Sequence, residues 1–325
     1  MPKPATHAPP RPTRFPRKQA GPNPQHLLVT LMGDYWGDGE SRVPSQALVA
    51  LLAEFDISER SARTALARLV QRDMLEVTKE GRRTFYSLTR QAVANGGRSR
   101  DQLLRLGHRP SAPVWDGTWL VVAYSVPTES SVVRTNFRLR IRAAGFAPVQ
   151  DAVWVSPTTK TAALTALLEE FPEVSATVFT GRTLACSTAD SRPENLWDLA
   201  PVARRYTEFL DRFEPMLERM RAGRINGPEA LRVRTETMNS WRDLRRLDPD
   251  LPDELAPADW ARPRAHDILV RLYDGLGPLA EQACRAIVAR HDSERHESAS
   301  ARHYSIAAYL SEPALSPRRS GRALG

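Results

Sequence analysis

Arg60, Thr64 and Arg68 recur at intervals of four in the run ERSARTALARLVQRD, residues 59–73, with Arg63 and Arg72 beside them. At 100° per residue these side chains share one flank of a helix, while Ala62, Ala65, Leu66, Leu69 and Val70 share the other. A guanidinium donates paired N–H bonds to a guanine edge or to phosphate oxygens. The front of such a helix must also be slim, and Thr64 and Ala67 keep it so. This division, apolar behind and arginine with small residues in front, is what a helix needs to enter the major groove of DNA.

The flanking residues position that helix. Ser58 is a suitable N-cap, so the helix starts at Glu59 and is expected to run to about Asp73. Glu54-Phe55-Asp56 makes a turn after an apolar segment, Ser45–Glu54, that reads as a preceding helix. Leu75–Lys79 and Arg82–Leu88 read as a hairpin turning at Glu80-Gly81, where glycine accepts the positive φ of a short turn. Its tip carries Lys79, Arg82 and Arg83, a cationic point suited to phosphate. Ser45, Gln46, Ser58 and Ser61, at the starts of two helices, complete the candidate DNA-binding set with Arg60, Arg63, Thr64, Arg68 and the hairpin cations. Helix, turn, basic helix and hairpin together predict a winged helix-turn-helix. The plainer alternative is a solvated basic helix in an ordinary domain; the joint pattern favours the DNA reader.

The bulk properties agree. The chain has 325 residues, a formal net charge of +8 and 41% apolar residues, enough for two or three domains with real cores. The excess of positive charge favours a polyanionic partner. It is concentrated: Lys3, Arg11, Arg14, Arg17 and Lys18 sit in an N-terminal stretch without acids, and the span from Ser58 to Arg90 is also strongly basic. Cys186 and Cys284 stand far apart in no metal-like spacing, as expected of a reduced cytoplasmic protein. No apolar run is long enough to span a bilayer, and the proline- and arginine-rich N-terminus has no apolar signal core.

The expected fold class is α+β. Residues 1–24 read as a disordered basic arm, 25–109 as the DNA-binding domain, 115–190 as a central domain, 193–297 as a helical C-terminal domain and 298–325 as a flexible tail. In the first domain His26–Trp36 is an apolar helix with Pro24 at its first turn, and the glycines within Val93–Gly97 loosen the chain toward a linker. In the central domain the expected strands are Thr118–Val126, Gly145–Val149, Ala152–Ser156 and Ser175–Thr180, with helices at Glu129–Ala143 and Thr159–Phe171. That order, β-α-β-β-α-β, is the ferredoxin-like pattern. Three long helices follow, at Trp197–Arg221, Gly227–Leu247 and Ala265–His291.

Other clusters carry weaker signals. His291, His296 and His303 with Asp292, Glu294 and Glu297 resemble metal ligands in type, yet a solvated helix end accounts for them more simply. Asp248, Asp250, Asp253 and Glu254 surround two prolines and read as a turn-rich connection. Arg134, Arg138, Arg140 and Arg142 form a row suited to a phosphate ligand or to the wet face of a helix. The motifs GxSxG, HExxH, GK[ST] and GxGxxG do not occur, so no catalytic residue, metal or cofactor is assigned.

Three regions resemble the PaaX-type repressors of phenylacetate catabolism. LLVTLMGDYW, PSQALVALLAEFDISERSARTALARLVQRDMLE and GRRTFYSLT resemble that family's winged-helix module. WDGTWLVVAYSVP with GFAPVQDAVWVSP is similar to its central domain, and WRDLRRLDPDLPDELAPADWA to its C-terminal segment. The resemblance implies a homodimeric, ligand-responsive repressor akin to GntR-like regulators. It also implies an operator of double-stranded DNA and an aryl- or acyl-CoA effector such as phenylacetyl-CoA, whose binding residues it does not identify. Two departures stand out: Ala-Arg-Pro follows Trp260 where Pro-Gly is expected, and Trp241 stands where His or Tyr is usual.

The central domain is also similar to the small CRISPR nuclease fold, which keeps an acidic metal ligand at the end of its first strand. Here that place reads Tyr124-Ser125-Val126. A hard divalent cation needs oxygen anions there, so a structural or dimerising domain, not an enzyme, is expected. The rivals are a winged-helix protein with a nuclease domain and a sequence-blind architectural DNA binder.

Overall fold

A computed structural model describes residues 23–108, 114–127, 130–157, 160–183, 195–292 and 301–311. Packing divides the chain into two compact units. Unit 1 takes residues up to 104 together with 216–239 and 270 onward; unit 2 takes 105–215 and 240–269. The consecutive segments read from the sequence are thus divisions along the chain, whereas the packing units interleave.

Unit 1 begins with three helices, α1 (Pro24–Tyr35), α2 (Ser45–Ala53) and α3 (Glu59–Gln71). Pro24 occupies the first turn of α1, and the Asn23 side chain caps it by accepting from the Gln25 N–H at 3.0 Å. Leu28, Leu31 and Met32 of α1, Leu48 and Leu51 of α2, and Leu66 and Leu69 of α3 are buried together in the core of this module.

A three-stranded antiparallel sheet, ordered β1-β3-β2, follows from β1 (Val43–Pro44), β2 (Leu75–Glu80) and β3 (Arg83–Leu88). The short β1 was absent from the expectation. Two residues carry no period, and pairing of Val43 with Tyr86 and Pro44 with Phe85 makes the strand. The hairpin turn lies one residue later than expected. Glu80 pairs with Arg83, so the turn is Gly81-Arg82, with Gly81 at φ +58° in the first central position.

The expected loosening at Val93–Gly97 is corrected: α4 runs through it, from Arg90 to Leu104. Two glycines do weaken a helix, but a local cap and tertiary contacts outweigh them. Thr89 Oγ1 accepts from the Ala92 N–H at 3.0 Å, Arg100 donates to the Gly33 carbonyl at 2.9 Å, and Leu103 and Leu104 are buried.

Unit 2 holds the β-α-β-β-α-β run. Its elements are β4 (Trp119–Ser125), α5 (Ser131–Ala143), β5 (Ala147–Gln150), β6 (Val153–Pro157), α6 (Thr161–Glu170) and β7 (Ser175–Gly181). The strands are antiparallel in the order β5-β6-β4-β7, so the first and third strands of the run are the central pair, the split pattern the sequence predicts. Leu120, Val122 and Tyr124 of β4 pack with Phe137 and Ile141 of α5 and Leu164 and Leu167 of α6. Gly145, at φ +93°, lets the chain pass close to the Pro249 carbonyl, where a Cβ would stand 2.7 Å from the oxygen.

Among the described residues the remaining α-helices are α7 (Ala200–Arg221), α8 (Gly227–Leu247), α9 (Arg262–Gly275), α10 (Gly277–His291) and α11 (Ile306–Ser311). The single helix expected over Ala265–His291 is two, α9 and α10, broken at Leu276. Pro278 opens α10, where a helix tolerates a missing N–H. The expected flexible tail from 298 is also corrected over 301–311. Ala301 and Ile306 are buried, and Asp274 accepts from the Ser305 hydroxyl and from the N–H groups of Ile306 and Ala307, which sets the start of α11. Residues 1–22 and 312–325, read as arm and tail end, lie outside the described residues. Among the described residues no helix is long and apolar enough to cross a membrane.

Candidate nucleic-acid interface

Helix α3 has the two-sided character its sequence predicts. Ala62, Ala65, Leu66 and Leu69 are buried, while Arg60, Ser61, Arg63, Thr64, Ala67 and Arg68 are exposed. Ser58 caps it as expected: its Oγ accepts from the Ser61 N–H at 3.4 Å and donates to the Ser61 Oγ at 3.0 Å. The two serines therefore serve the helix start. Thr64 donates its hydroxyl to the Arg60 carbonyl at 2.8 Å, which leaves the threonine acceptor lone pairs and methyl on the surface. Arg63 pairs with Glu59 at 2.8 Å, a surface contact worth little in water. These interactions hold an exposed row at Arg60, Thr64 and Arg68.

The hairpin stands on Phe85, which is buried, and on Arg42, which pairs with Glu80 and lies 5.8 Å over the Phe85 ring. Lys79 and Arg82 are exposed and Arg83 is half-buried, 4.0 Å from the buried Asp292.

A cleft of about 520 Å³ brings several of these groups together. Arg63 of α3, Ser45 and Gln46 of α2, and Arg82 and Arg83 of the hairpin line it. Ser45 is only 9% exposed. Arg60, Thr64, Arg68 and Lys79 are exposed and are not among the lining residues. The lining also includes Arg290 and His291, from the last turn of α10. The sequence reading does not single out Arg290, and it takes His291 for part of a solvated helix end, with metal ligation as the weaker alternative. The available signal was the pair of basic residues closing α10.

The other clusters find structural partners. His303 faces Glu281, with Nδ1 2.6 Å from Oε2, whereas His291 lines the cleft. His296, Glu294 and Glu297 lie outside the described residues. Burial pushes the Glu281 carboxyl up, but the His303 N–H and imidazole, with Arg285, more than reverse this and hold it below the usual glutamate range.

The acidic residues at 248–253 surround Arg262, which is 1% exposed. Its guanidinium lies 3.4 Å from Asp248, 3.6 Å from Asp250 and 3.0 Å from Asp253, and Tyr206 donates to Asp248 at 2.6 Å. Arg262 is the arginine of the unusual Ala-Arg-Pro, so that departure supplies a buried counter-charge. Trp241, the other departure, is fully buried against Phe209.

The arginine row of α5 is likewise occupied. Arg134 donates to the Val126 carbonyl, Arg138 pairs with Asp151, Arg140 with Glu170, and Arg142 lies over Trp154. At the end of β4, Ser125 is exposed and offers a hydroxyl where the nuclease fold has a carboxylate.

Three family models match in succession. Residues 23–92 match the PaaX-like protein model, 112–192 the PaaX protein central Cas2-like domain, and 197–286 the PaaX-like protein C-terminal domain. The transcriptional repressor PaaX of Escherichia coli strain K12 is 28% identical over 260 residues, which cover 78% of this chain and 80% of that protein. Among solved structures, the uncharacterized protein Rv0674 from Mycobacterium tuberculosis is similar in fold. It has a TM-score of 0.52 and 22% identity, covering 80% of this chain and 96% of that one. With all three consecutive models matched and a relative aligned along most of its length, this chain belongs to the PaaX family.

Proposed function

We propose that this protein is a DNA-binding transcriptional repressor of the phenylacetate-catabolism type, and a regulator rather than an enzyme. The observation that carries the reading is the exposed front of α3: Arg60, Thr64, Ala67 and Arg68 stand over a buried apolar back, with a cationic hairpin in the same module. In this reading α1–α3 and the small sheet act as a winged helix-turn-helix. Helix α3 enters the major groove, where Arg60 and Arg68 reach base edges or phosphates, and Lys79, Arg82 and Arg83 hold the backbone. The similarity to the Escherichia coli repressor supports the same role.

A homodimer would set two such helices on a pseudo-palindromic operator. An aryl- or acyl-CoA such as phenylacetyl-CoA would release it by binding better to a dimer geometry that does not match the operator. A ligand with equal affinity for both states shifts nothing. Ser125 at the end of β4 supports the regulator over the nuclease reading, since a hydroxyl is a poor ligand for a hard divalent cation.

The test is a binding titration of the full-length protein against the DNA upstream of its own gene, with random duplex as the comparison. Preferential binding is expected, weakened by phenylacetyl-CoA. Equal affinity for both duplexes would leave a sequence-blind architectural binder. Release by none of a panel of CoA thioesters would remove the effector alone.

A further inference from the structure

The cleft beside α3 has a property that the α3 reading does not require. Its lining arginines come from two distant parts of the chain: Arg63, Arg82 and Arg83 from the N-terminal module, and Arg290, next to His291, from the end of α10. We propose that this cleft is a phosphate-binding site for the DNA backbone, completed by the last turn of α10.

Charge is the first argument. Four arginines line one cleft, and among the described residues its lining contains no carboxylate. Among the described residues Arg63 pairs with Glu59 and Arg83 lies 4.0 Å from the buried Asp292, and neither carboxylate is part of the lining. Like charges gathered around a recess repel one another, and an entering anion relieves that repulsion. Arginine also presents paired donors matched to phosphate oxygens.

Placement is the second argument. Helix α10 packs on α2 and on β1, and its buried residues Ala280, Cys284, Ile287 and Val288 seat it in unit 1. His303 and Ala301 hold the same helix through Glu281 and Arg285. The end of α10 is therefore carried by a seated helix, and Arg290 enters the recess that also holds Arg82 at the hairpin turn. The plain alternative is that Arg290 and His291 only offset the negative end of the α10 dipole. That role needs neither the cleft nor the arginines of the hairpin.

The inference rests on the proposed DNA-binding function and extends it to residues outside the α1–α3 module. The experiment uses the full-length protein with Arg290→Ala and Arg290→Lys, an operator duplex and a random duplex of equal length, over a range of salt. Arg290→Ala is expected to weaken both duplexes alike, by about fivefold, and to lower the slope of log affinity on log salt by about 0.9. Arg290→Lys is expected to keep the slope, and the melting temperature to stay within about a degree or two of wild type. An unchanged slope in Arg290→Ala, with wild type still binding its operator, would overturn this inference alone. A fall in melting temperature with no change in slope would assign Arg290 to capping, which also overturns it. Failure of wild type to bind any duplex would overturn both readings.

Discussion

Asp34 of α1 and Arg234 of α8 form a buried ion pair: Arg234 Nη1 lies 3.7 Å from Asp34 Oδ2, with side-chain exposures of 0% and 1%. Tyr273 stacks under the same guanidinium at 3.6 Å, and the Tyr273 and Tyr304 carbonyls accept from its Nε and Nη2 at 3.1 Å each. A helix of the proposed DNA reader is thereby tied to residues some 200 positions further along the chain. Removing one partner leaves an uncompensated buried charge, which costs about 3–5 kcal/mol. Arg234→Met and Asp34→Asn are each expected to lower stability by that order in urea unfolding. The double variant should lose clearly less than the sum, because the two share one interaction. Additive losses would show that the pair is not coupled.

The same tie predicts how the N-terminal module behaves alone. A fragment of residues 23–108 keeps α1–α4 and the sheet but loses Arg234 and α10, which packs on α2 and β1. It is expected to show no cooperative thermal transition by circular dichroism. A fragment that melts as sharply and as high as the full chain would contradict this.

What was legible in the sequence follows from the range of each interaction. Helix α3 was readable because Ser58, the apolar back and the arginine front all lie within one short window, and the ferredoxin-like order was readable from strand and helix periods. The hairpin turn moved by one residue because the register is set across strands, by Glu80 opposite Arg83. Helix α4 was missed because Gly96 and Gly97 dominate the local signal, whereas Arg100 bonds to Gly33, far from it in the chain. That Arg290 and His291 share a cleft with Arg82 and Arg83 was not legible for the same reason: only folding brings the end of α10 to the hairpin.

Glu281 gives an acid-side signature. Its folded carboxyl is held below the usual glutamate value, so it stabilises the fold above the unfolded pKa of about 4.3 and loses that contribution as pH falls through the folded one. Glu281→Gln is expected to flatten the pH dependence of the melting temperature below about pH 4.5. Wild-type steepness in the variant at acid pH would place the dependence elsewhere.

Cys284 is fully buried, and burial pushes its thiol well above the ordinary range despite the nearby Arg234. The thiolate is the reactive form. In a Cys186→Ser background the remaining thiol should react with a disulfide reagent at pH 8 only after denaturant is added. Rapid stoichiometric labelling of the native protein would show that this part of unit 1 opens readily.

The front of α3 carries the central claim, and the anisotropy of a labelled duplex measures it most directly. At fixed salt, the full-length protein is expected to bind DNA from upstream of its own gene at least about a thousandfold tighter than a scrambled duplex. Arg60→Ala and Arg68→Ala should each remove about 1–3 kcal/mol from the first and much less from the second, narrowing that ratio. Equal affinity of the wild type for the two duplexes, or an unchanged ratio in both variants, would contradict the assignment of α3 as the element that reads DNA.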